Sequence, residues 1–93
     1  MQQTILNEKL TLVFEPLGKK LRLIIFEGDL ELVCRKETLK NLQHFLSASE
    51  AHIFKGRLQL SKKENIIEVL VKQKPIGIIS SSNFKDLLET MSN

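Results

Sequence analysis

Cys34, His44 and His52 are the residues of this sequence best suited to nucleophilic or metal chemistry. A thiol nucleophile needs an adjacent imidazole to take its proton. Here Cys34 is expected as a small core residue at the end of a strand, His44 on the partly solvated flank of a helix and His52 in a connection. No such pair therefore forms. No two of the three stand at i, i+4 or in a CxxC pair, the spacings that hold ligands on one face, so neither a metal nor a cofactor is expected. Glu27, Asp29 and Glu31 are close enough in sequence to act as paired carboxylates, yet a solvated turn and its adjoining strand account for them. Ser80, Ser81 and Ser82 before Asn83 suggest an anion-binding nest. With no glycine to allow close approach, they read instead as the N-cap of a helix, Asn83 and Asp86 forming a shortened capping box. A glycine-rich phosphate loop, a nucleophile elbow and a dinucleotide fingerprint are all missing, and the chain is read as a non-enzyme.

Charge is the other chemistry on offer. The formal net charge is +3, and it is unevenly spread. Residues 1–51 carry seven basic and seven acidic side chains, whereas residues 52–75 carry Lys55, Arg57, Lys62, Lys63, Lys72 and Lys74 against Glu64 and Glu68. In a meander the start of one strand and the end of the next share one end of the sheet, which gathers Lys55, Arg57, Lys72 and Lys74 into a cluster able to track phosphates. Single-strand binders usually add aromatic platforms. This chain has no Trp or Tyr and five Phe, of which only Phe26 is expected on an outer sheet face.

Period-two hydropathy defines the elements that must position these groups. Leu10, Leu12 and Phe14, then Leu21, Leu23 and Ile25, alternate as strands with one buried face, and Pro16 and Gly18 mark the turn between them. A third strand, Leu30 to Cys34, follows Glu27-Gly28-Asp29. Leu39, Leu42, Phe45 and Leu46 then fall on one face of a helix running from about Lys36 to Ser49. The order repeats. A shift of 46 pairs Leu12 with Leu58, Phe14 with Leu60, Leu21 with Ile67, Leu23 with Val69, Ile25 with Val71, Leu30 with Ile76 and Leu32 with Ile78. A shift of 45 pairs Leu39 with Phe84, Leu42 with Leu87 and Leu46 with Met91. Whirly and PUR-type nucleic-acid domains have a similar order but four strands for each helix. None of their motifs occurs, and no family is assigned.

The expected fold is therefore a single α+β domain over residues 1–93, with βββα repeats at 8–49 and 53–93. It is a two-layer sandwich in which two helices cover one face of a mainly antiparallel sheet of about six strands. A composition of 42% hydrophobic and 27% charged residues suits an ordinary globule and excludes collagen-like, low-complexity and disordered classes. No apolar stretch approaches a membrane span, no basic leader precedes an apolar run, and one cysteine fits a reducing compartment, so a soluble cytoplasmic protein is expected.

On the helix-free face, Val13, Ile24, Phe26 and Val33 alternate out of phase with Leu12, Leu23, Ile25 and Leu32. They form an apolar centre among charges of both signs. The expected function is an interaction module, a homo-oligomer or a binder of another protein, using that face. The alternative is weak, sequence-independent nucleic-acid binding through Lys55, Arg57, Lys72 and Lys74.

Overall fold

The computed structural model describes residues 2–91. The chain folds into eight strands and two helices: β1 Gln2–Ile5, β2 Leu10–Leu17, β3 Lys20–Glu27, β4 Leu30–Thr38, α1 Leu39–Ser47, β5 Glu50–Ile53, β6 Leu58–Lys63, β7 Ile66–Val71, β8 Lys74–Ser80 and α2 Ser81–Met91. Four strands precede each helix, not three. They form two separate four-stranded antiparallel sheets, ordered β1-β2-β3-β4 and β5-β6-β7-β8, which replaces the single six-stranded sheet with helices on one face. β1 and β5 escape a hydropathy reading for a physical reason. Each has four residues, and the positions of β1 that turn inward are the polar Gln2 and Thr4.

The two ββββα units match closely in plan. Each has a four-residue loop after its first strand and two-residue turns between the next three. β2, β3 and β4 have eight, eight and nine residues, and β6, β7 and β8 have six, six and seven. Each of these three strands is thus two residues shorter in the second unit. The shift of 46 accordingly holds for β2 and β3, whose pair Leu12↔Ile25 corresponds to Leu58↔Val71. At the helices the offset is 42 and not 45: Thr38 and Ser80 accept from the backbone N–H of Asn41 and Asn83 as N-caps. Leu42, Phe45 and Leu46 then correspond to Phe84, Leu87 and Leu88. Asn83 itself takes no capping role, since its amide donates to Thr4 Oγ1 at 3.1 Å.

A bulge breaks the ladder of each fourth strand. Ile25 pairs with Val33 and Phe26 with Glu31, leaving Leu32 over; Val69 pairs with Gly77 and Leu70 with Pro75, leaving Ile76 over. An extra residue inverts the alternation beyond it. Val33 therefore faces the core opposite Ile25, and Cys34, expected inside, is exposed on the outer face. Ile79 is likewise buried and Ile78 exposed, the reverse of the regular pattern. Pro75 sits beside the second bulge on an edge strand, where its missing N–H costs no ladder bond.

The units interlock. α2 packs on β1, β2 and β8, α1 on β4 and β5, and the helices touch each other, so each helix joins both sheets. Phe84 meets Phe14 edge-on with ring centroids 5.1 Å apart and Phe45 at 6.1 Å. One apolar core draws on both sheets and both helices, from Leu12, Leu23 and Ile25 through Leu42 and Phe84 to Leu60, Ile67 and Val69. The loop of each unit also closes on the other unit's fourth strand. Asn7 donates its amide to Ile76 O at 2.8 Å, while a Cβ on Gly77 would lie 3.0 Å from Leu6 Cβ, so only glycine allows this approach of backbones. None of the described helices is long and apolar enough to cross a membrane.

Candidate functional site

The outer face of the first sheet is built from alternate residues of β2, β3 and β4, whose cross-strand rows run Glu15–Arg22–Lys36, Val13–Ile24–Cys34 and Thr11–Phe26–Glu31. Of the four residues expected to form its apolar centre, Val33 is in the core and Phe26 is half-buried. Val13 is only 4% exposed and Ile24 only 1%. The cover over Ile24 is Arg22. Its Nη1 lies 3.3 Å from Glu15 Oε1 on β2 and its Nη2 2.9 Å from Glu31 Oε1 on β4, so the side chain crosses the middle row to span the outer two. Its hydrogen bond to Cys34 is the largest influence on the guanidinium and raises its pKa above the ordinary value. Desolvation opposes this and the charge of Glu31 adds to it. Glu15, Arg22 and Glu31 are thus satisfied within one chain.

The basic residues have no such internal use. Phe54, Lys55, Gly56 and Arg57 form the loop between β5 and β6, while Lys72 and Gln73 make the β7–β8 turn, with Lys74 following. The Lys72 N–H donates to Arg57 O at 2.8 Å, tying turn to loop. The structure thus brings Lys55, Arg57, Lys72 and Lys74 together as expected from the meander, all four exposed. Lys62 and Lys63, from the same basic segment, do not join them. Lys62 is buried and donates its ammonium to Ala48 O at the end of α1; Lys63 stands at the opposite end of β6.

Arg35 completes the cluster and was missed from sequence. It lies on β4, remote in sequence from the basic segment, and reaches it only because the β5–β6 loop closes on that strand. Its guanidinium carbon sits over the Phe54 ring, 5.4 Å from the centroid, a cation–π distance. Among the described residues none of these five cations forms a salt bridge. The backbone around them is strained: Phe54, Lys72 and Gln73 have φ of 72°, 53° and 68°, a region where non-glycine residues cost of order 1–3 kcal/mol each. The corresponding loop of the first unit, Asn7-Glu8-Lys9, is neutral, and its Leu6 has no positive φ.

The residues weighed for catalysis stay apart from this cluster. His44 and His52 are exposed and border a shallow cleft with Glu37, Asn41, Phe45 and Ile53, which contains no cysteine. Among the described residues no three of His, Cys, Asp and Glu are placed to hold a metal ion. No protein-family model matches this chain, and neither a curated protein nor a solved structure is significantly similar to it.

Proposed function

We propose that this protein is a non-enzymatic, sequence-independent binder of single-stranded nucleic acid that uses the basic cluster at the β5–β6 loop and β7–β8 turn. The observation that carries this reading is the convergence of Arg35 on β4, Lys55 and Arg57 on the β5–β6 loop, Lys72 on the β7–β8 turn and Lys74 on β8, with no carboxylate partner among the described residues. Unpaired like charges held close together repel and cost stability, so their assembly on strained backbone fits a site whose counter-charge arrives with a ligand. Neutralising about four phosphates corresponds to a slope near −3 for log affinity against log salt. Fluorescence anisotropy with a labelled single-stranded 15-mer at low salt tests this: Lys55→Glu with Lys72→Glu abolishes binding, and Lys19→Glu on the β2–β3 turn of the first sheet has less effect. Absence of binding by the native protein removes the reading.

A second reading, self-association through a helix-free sheet face, moves from the first sheet to the second. Ile66 and Ile78 are 49% and 60% exposed on the outer face of β7 and β8. With Ser61, Lys63, Glu64 and Glu68 they line a depression of about 410 Å³. Light scattering after size exclusion checks this reading: a dimer that Ile78→Asp converts to a folded monomer supports it, and a native monomer at high concentration ends it.

A further inference from the structure

Single-strand binders ordinarily hold a base on an aromatic ring, and the basic cluster exposes none: Phe54, its one aromatic, is 6% exposed. Arg35 fills that role in another way. A guanidinium is flat and delocalised, stacks on π systems with either face, and offers a base the same kind of surface that an aromatic ring would. The Arg35 guanidinium carbon lies over the Phe54 ring, 5.4 Å from its centroid, while the residue as a whole remains exposed. The loop is shaped around this contact. Phe54 holds a φ of 72°, which a bulky side chain rarely adopts. A Cβ on residue 56 would lie 3.2 Å from Arg35 Nη1, a tight contact that would displace the guanidinium by a few tenths of an ångström and that Gly56 avoids. In the second unit the position corresponding to Arg35 is Gly77, which packs on Leu6 of the first unit's loop with no side chain to offer. The platform is therefore particular to the second loop, the one that carries the cations.

We infer that Arg35 is a base-stacking platform. One unpaired nucleobase rests on its open face while Lys55, Arg57, Lys72 and Lys74 hold the flanking phosphates. The ligand class is single-stranded nucleic acid; a duplex keeps its base faces inside its own stack. This inference rests on the nucleic-acid reading above, and two probes separate the failure of each. One is a fluorescein-labelled thymidine 15-mer and the other an abasic 15-mer with the same number of phosphates, both titrated at low salt. The native protein binds the base-bearing strand more tightly by roughly 5- to 150-fold, the worth of one stacked base. That ratio needs no variant. Arg35→Lys keeps the charge and removes the flat surface: it collapses the ratio toward one while affinity for the abasic strand stays within about threefold. Equal native affinity for the two strands, or an Arg35→Lys loss equal on both, makes Arg35 a point charge and overturns the platform while leaving phosphate binding intact. If neither probe binds, the nucleic-acid reading falls and the platform with it.

Discussion

Lys62 shows how much a single side chain's meaning depends on its surroundings. By composition it belongs to the basic segment, yet it points inward from β6 with its ammonium on Ala48 O, the C-cap residue of α1. A cation at a helix C-terminus satisfies a carbonyl left without an intrahelical donor and opposes the negative end of the dipole. Lys62→Met keeps the packed stem and removes only the ammonium, so it isolates this effect; a loss of about 1–2 kcal/mol is expected. Urea denaturation measures it as a lower midpoint at unchanged slope, with Lys63→Met, exposed, as a control within about 0.5 kcal/mol of native. An unchanged or higher midpoint for Lys62→Met would show that burying the charge costs as much as the cap returns. The same dependence on context governs Ile24. Roofed by Arg22, it now belongs to the interior, and Ile24→Glu would unfold the chain without reporting on any interface.

At the level of elements, the β7–β8 hairpin is the clearest case of local sequence and local geometry in conflict. Two-residue hairpins with positive φ at both central positions favour Asn-Gly, because those residues tolerate the left-handed region. Here Lys72 and Gln73 occupy it, whereas the corresponding turn of the first unit puts Gly28 at its positive-φ position. Gln73 is exposed, so Gln73→Gly relieves strain without opening a cavity and is expected to stabilise by about 1 kcal/mol. Calorimetry should show the transition roughly 4–8 °C higher. A fall in the midpoint would mean that Gln73 makes a contact worth more than its strain. Lys72 is left in place, so affinity for the labelled 15-mer is expected to hold, which separates the backbone role of the turn from its charge.

For the molecule as a whole, the interlocking of units predicts shared stability. Leu42 is fully buried where α1 meets both sheets, and Phe84 of the second unit packs on Phe14 and Phe45, both of the first. Leu42→Ala is expected to cost about 2–5 kcal/mol and to shift one transition common to both units. Equal calorimetric and van't Hoff enthalpies are the check. Two resolved transitions, only one of them moved by Leu42→Ala, would show that the sheets melt separately.

Hydropathy period by itself determined the six longer strands, both helices, the helix faces at Leu42 and Phe45 and at Phe84 and Leu87, and the meander that gathers Lys55, Arg57, Lys72 and Lys74. These depend on neighbours within a few residues or one turn away, and a period reads such relations directly. β1 and β5 were illegible because four residues are too few to establish a period, and in β1 the inward positions are also polar. The exposure of Cys34 and Ile78 and the burial of Val33 and Ile79 were hidden because one bulged residue reverses every later side chain, and hydropathy locates no bulge. Tertiary structure alone decided that the strands divide into two sheets, that Arg22 roofs Ile24, and that Arg35 joins a loop nearly twenty residues later in the chain. Each of these follows from where separate elements pack, and packing is set by the shared core that no single segment specifies.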